Sequence, residues 1–111
     1  MEDDLEKEPT KGSSSTPVKK LTLEKAIELG EYDPKFLSNF PEWHDLSRHV
    51  QFQLIRKALD NRYRQLVTQY AELSNVLDFS KKPEIRKALD NVDAQIKILR
   101  RDKETLYAQY S

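Results

Sequence analysis

The sequence of 111 residues contains no cysteine, so it can form no disulfide and offers no thiolate to zinc, a usage that fits a cytosolic protein. Its only glycines are Gly12 and Gly30, too few for a loop that cradles phosphate. No apolar run approaches the roughly 20 residues that span a bilayer. The opening Met1-Glu2-Asp3-Asp4-Leu5-Glu6 is acidic where a secretory signal is basic and then apolar. The expected location is therefore cytoplasmic. An excess of charge of either sign is also missing: the formal net charge is +0, so no global field draws the chain to nucleic acid or membrane. Hydrophobic residues make up 37% and charged residues 34%, which suits a thin helical assembly better than a thick α/β core. No serine sits in a nucleophile elbow. His44 and His49 are five apart, so on one helix they point to different faces instead of sharing a metal ion. Neither an enzyme nor a cofactor or metal site is expected.

What is present is helix. The heptapeptide Ile55-Arg56-Lys57-Ala58-Leu59-Asp60-Asn61 recurs as Ile85-Arg86-Lys87-Ala88-Leu89-Asp90-Asn91, and each copy lies in a stretch of helical periodicity. Leu59, Tyr63, Leu66, Tyr70, Leu73 and Leu77 follow a 4-3 spacing, the mark of a coiled-coil seam. The same spacing runs through Ile85, Leu89, Val92, Ile96, Leu99, Lys103, Leu106 and Tyr110. The break between them, Asp78 to Pro83, is too short for anything but a reversal. The predicted fold is all-α: an antiparallel two-helix coiled-coil hairpin over residues 44–111, with helices at about 44–79 and 83–110. A seam with Leu77 opposite Ile85 sets Asp60 against Arg100, Arg62 against Asp102 and Gln69 against Gln95. The exposed ion pairs would add only about 0.2–1 kcal/mol each, but they would disfavour other registers.

Residues 1–20 read as a disordered acidic and serine-rich tail, with too little apolar area to offset the entropy of ordering. Between tail and hairpin, residues 21–43 form a short cap. Thr22 caps a helix over Leu23 to Leu29, Gly30 ends it, and Asp33-Pro34 starts a second turn. Ile27, Phe36, Leu37, Phe40 and Trp43 are expected to dock on the open end of the hairpin, where Arg56 and Lys103 weaken the seam. The stretch Thr22 to Gly30 followed by Asp33 to Leu37 resembles a helix-turn-helix. Followed by a coiled coil, it is similar in layout to the MerR-type regulators, a resemblance that would imply DNA binding. Glu24, Glu28, Glu31 and Asp33 would meet DNA phosphates with the wrong sign, so DNA is not the expected partner.

The charge total conceals a division. From His44 onward thirteen Lys and Arg stand against nine Asp and Glu, a net of +4, and the first 43 residues carry the balancing −4. Arg62, Arg64, Lys97, Arg100 and Arg101 fall at similar heights on the paired helices, and Lys81 and Lys82 form a basic tip. With Asp60 and Asp102 engaging Arg100 and Arg62, the candidate nucleic-acid contacts are Arg64, Lys97, Arg101, Lys81 and Lys82, which would suit RNA or a ribosome. Val67, Val76, Ile98 and Tyr107 are apolar residues outside the seam. The principal expectation is a non-enzymatic module that binds a protein or itself, with RNA association as the alternative.

Overall fold

A computed structural model describes residues 21–110; the tail assigned to residues 1–20 lies outside them. The described residues are helical, with no strand. Two short helices, α1 (Leu23–Glu28) and α2 (Pro34–Leu37), lead through a 3-10 turn (Pro41–Asp45) into α3 (Arg48–Ser74). A second 3-10 turn (Phe79–Lys81) reverses the chain into α4 (Pro83–Tyr110). Helices α3 and α4 pack side by side as the antiparallel hairpin, and α1 packs on α3. At 1.5 Å per residue, each long helix runs about 40 Å.

The cap is built from the signals its sequence carries. Thr22 Oγ1 accepts from the Lys25 N–H at 3.0 Å, and Asp33 Oδ1 accepts from the Lys35 N–H at 3.0 Å. The end of α1 is a Schellman motif: Glu31 N–H donates to Ala26 O and Gly30 N–H to Ile27 O, with Gly30 at φ 88°. Gly30 has a second constraint. A Cβ there would lie 3.1 Å from the backbone of Arg62, so the glycine also lets the turn approach α3. Ile27, Leu37 and Trp43 are buried in one cluster with Ile55, Ala58, Leu59 and Leu106, whereas Phe36 and Phe40 are half-buried and meet edge to face at 5.8 Å.

The second long helix begins and ends where its pattern says, and its seam is largely occupied. Leu89, Val92, Leu99 and Leu106 are buried, Ile85, Ile96 and Tyr110 half-buried, and Lys103 exposed. The first long helix differs from expectation at both ends. It starts at Arg48, with Ser47 Oγ accepting from the Val50 N–H at 3.2 Å. Residues 41–45 stay in the 3-10 turn because Trp43 must bury its ring. At the far end α3 stops at Ser74 and not near Phe79. Asn75 caps it, and the chain turns through Asp78, which sits in the left-handed region at φ 57°. Leu77 therefore leaves the seam and is 81% exposed.

Candidate interaction surface

Three α3 side chains clamp the cap. Asn61 Nδ2 donates to Ile27 O at 3.0 Å, Arg62 Nε to Gly30 O at 3.4 Å, and Gln65 Nε2 to Leu29 O at 3.0 Å. These acceptors lie at the C-terminal end of α1: the Leu29 and Gly30 carbonyls are beyond its last helical bond, and the Ile27 carbonyl, which already accepts from the Gly30 N–H, gains a second donor. On the α4 side, Tyr32 OH donates to Asp102 Oδ2 at 2.7 Å. Burial, then the hydrogen bond to Asp102 and the charges of Asp102 and Asp33, push the Tyr32 hydroxyl well above the usual tyrosine range; Arg62 opposes that shift. Tyr32, Arg62 and Asp102 share the wall of a groove of about 590 Å³ between the cap and the hairpin.

That arrangement changes the expected register pairs. Arg62 and Asp102 line one groove, but Tyr32 takes the carboxylate and the guanidinium turns to the Gly30 carbonyl. Asp60 and Arg100 line one cleft, yet among the described residues the ion pairs within 4.0 Å are Lys25 with Glu28 and Lys97 with Asp93. Neither expected bridge forms. Both partners of the Asp60–Arg100 pair are exposed, so water supplies most of what the contact would gain.

The candidate nucleic-acid residues do not gather into one patch. Arg64 Nη1 donates to Asn61 Oδ1 at 3.1 Å, and Lys97 Nζ lies 3.3 Å from Asp93 Oδ2, so neither is the uncommitted cation the sequence suggested. Each is two residues from a buried seam leucine, Leu66 or Leu99, which turns it about 200° away from the partner helix. Arg64 thus points outward from α3, while Lys97 and Arg101 point outward from α4. Lys81 and Lys82 are exposed at the turn, at the far end of the hairpin from the cap.

A different surface emerges on the side of α3 away from the cap. Tyr63, Val67 and Tyr70, spaced i, i+4 and i+7, form one row and are 45%, 41% and 43% exposed. Two of the three occupy seam positions that the pattern assigned to the interior. Beside Tyr63 a cleft of about 240 Å³ is lined by Leu59, Asp60, Leu99, Arg100 and Lys103. Further towards the open end, Phe52 stacks on Tyr110 with centroids 5.8 Å apart and meets Tyr107 edge to face at 5.2 Å. Arg48 lies over Tyr110 at 4.7 Å, Arg56 over Phe52 at 5.9 Å and Lys103 over Tyr107 at 5.5 Å. Arg48 also donates to the Gln109 carbonyl. This cation–ring cluster was not anticipated, although Phe52/Arg56 and Lys103/Tyr107 stand at the i, i+4 spacing that would have revealed it.

Of the outward apolar residues expected from the sequence, Val67 and Ile98 are exposed, whereas Val76 and Tyr107 are half-buried. His44 Nε2 lies 2.7 Å from Ser38 O and His49 sits beside Gln53, so each histidine has local company. Among the described residues no three His, Asp or Glu side chains gather as a metal would need, and no helix is long and apolar enough to cross a membrane. Comparison with protein-family models, with curated proteins and with solved structures finds no match for this chain.

Proposed function

We propose that this chain is a non-enzymatic helical interaction module, an adaptor or self-associating protein of the cytoplasm, and that it binds through the hairpin face away from the cap. The observation that carries this reading is the exposed row Tyr63, Val67 and Tyr70. Large side chains on one rigid helix face offer apolar area at low entropic cost, and tyrosine is enriched in protein interfaces because its ring can be buried while its hydroxyl finds a partner. The row continues a coiled-coil seam, so a further helix laid alongside would complete a packing pattern that the hairpin leaves open.

The test is a triple substitution, Tyr63→Gln with Val67→Gln and Tyr70→Gln. Affinity capture from the native host and molecular mass across protein concentration are measured for both proteins. The expected result is loss of a captured partner, or of a concentration-dependent mass increase, at unchanged helicity. Identical capture and identical mass in the two proteins would remove this face from consideration.

RNA or ribosome association is the second reading, supported by the net +4 of residues 44–111 and by Arg56, Arg100 and Lys103 close to aromatic rings. It would use those three cations in place of Arg64, Lys97 and Arg101. Co-sedimentation with ribosomes at low salt and release at high salt would favour it over a protein partner.

A further inference from the structure

The face away from the cap has a cleft with cations and too few anions. Arg100 and Lys103 line it beside Tyr63, and Arg56 lies one turn of α3 from Asp60. Among the described residues none of the three has a carboxylate within 4.0 Å; Arg56 and Lys103 lie over the rings of Phe52 and Tyr107 instead. Asp60, the one acid of the cleft, is also outside bridging distance.

Carboxylates are concentrated elsewhere in the same chain. Glu2, Asp3, Asp4, Glu6 and Glu8 stand against Lys7 alone, a net of −4 in eight residues that mirrors the +4 of residues 44–111. Met1 and Leu5 add two apolar side chains within that acidic run. The twelve residues from Pro9 to Lys20 reach about 40 Å when fully extended, as far as a long helix of the hairpin. A tethered segment meets its site at an effective concentration in the millimolar range, so weak ion pairs suffice for occupancy at low salt.

We infer that the acidic segment Glu2–Glu8 of this chain docks on the cleft lined by Tyr63, Arg100 and Lys103, with Arg56 one turn of α3 beyond it, covering the face that binds the partner. The inference rests on the reading of that face as a binding surface and adds its regulation: the segment competes with the partner, and the partner's own contact is an acidic stretch of protein that also carries apolar side chains. Screening weakens the docking steeply, because the Debye length falls from about 10 Å at 0.1 M salt to about 3 Å at 1 M.

The absence of cysteine makes a direct test available. A single nitroxide attached through Lys7→Cys in the full chain reports distance through broadening of backbone amide signals. At low salt the amides of residues 56–63 and 99–103 are expected to lose more than half their intensity, while those near Lys81 and Lys82 keep theirs. The loss should disappear in 0.5 M salt. It should also disappear when Glu2, Asp3, Asp4, Glu6 and Glu8 are replaced by Gln or Asn, substitutions that leave the hairpin untouched. Broadening that is uniform, that favours the turn, or that survives neutralisation of the five acids would overturn the inference. Capture by the Tyr63/Val67/Tyr70 variant separates the two levels. Capture lost without amide broadening refutes the docking and keeps the binding face; broadening with capture unchanged refutes the binding face and keeps the docking.

Discussion

Seven identical residues appear twice in this molecule and meet different fates. In the first copy Ile55 and Ala58 are fully enclosed, Leu59 is buried, and Asn61 donates to the Ile27 carbonyl of the cap. In the second copy Ile85 and Ala88 are only half-buried, Leu89 is buried, and Asn91 is exposed, accepting a 2.5 Å bond from Gln95 on its own helix. Arg and Lys are exposed in both. The helical preference of the letters is the same, so propensity contributes nothing to the difference. What differs is a third layer. The cap covers the first copy and clamps it with Asn61, whereas the second copy has only α3 beside it, close to the turn. Local sequence sets helix in both places, and packing decides how much each copy stabilises the fold.

The largest effect that should separate the two copies is at their first residue. Ile55→Ala is expected to cost about 3 kcal/mol, since a fully buried isoleucine loses its transfer energy and leaves a cavity; Ile85→Ala should cost about 1 kcal/mol because part of the side chain already meets water. Urea midpoints of the two variants check this, and equal costs would break the comparison. Next comes Gly30→Ala, which forces a side chain into a positive φ and against the Arg62 backbone. A loss of about 2 kcal/mol is expected, and the loss should shrink when Ile55 is already Ala, because both act through the cap–α3 contact. Asn61→Ala should cost about 1 kcal/mol by removing the side-chain bond that ties α3 to the Ile27 carbonyl, while Asn91→Ala stays within about 0.5 kcal/mol.

Another small effect is expected at Tyr32→Phe, about 1 kcal/mol or less at neutral pH from the lost hydrogen bond to Asp102. It carries a pH signature. The Tyr32 hydroxyl is raised above its ordinary value of 10.0, so in the folded state its proton is held where the unfolded chain would release it. That contribution is complete below pH 10 and is lost as pH rises beyond it. The stability gap between wild type and Tyr32→Phe should therefore be constant from pH 6 to 9 and narrow above 10. Chemical denaturation at a series of pH values reads it, and a gap that widens above pH 10 would count against the assigned contact.

Much of the fold is legible in the sequence because its signals are local. Pro83 at the start and an unbroken 4-3 spacing fix α4. Thr22, Gly30 and Asp33-Pro34 each carry out the capping chemistry their residue types suggest. The end of α3 was not legible, because Val76 and Leu77 continue the apolar pattern past the point where Asp78 must take a left-handed turn. Nor was the exposure of Tyr63 and Tyr70, since a spacing rule treats tyrosine as apolar and ignores the pull of its hydroxyl towards water. The surface was less legible than the fold. The Arg62–Asp102 bridge was inferred from two helices alone, and the side chain that replaces it, Tyr32, is 70 residues from Asp102 in sequence. Periodicity cannot see such a contact. The cation–ring cluster had a local signal in its i, i+4 pairs, which heptad reasoning about leucines passes over.

The central claim is that the cap, and not the heptapeptide itself, makes the first copy the stable core of the hairpin. Native-state hydrogen exchange tests it most directly, because both copies are read in one molecule under one condition. Amides of Ala58 to Asn61 are expected to exchange only through global unfolding, with a denaturant dependence equal to that of the whole protein, while those of Ala88 to Asn91 open with a smaller free energy and a shallower dependence. Equal opening free energies in the two copies would contradict the account.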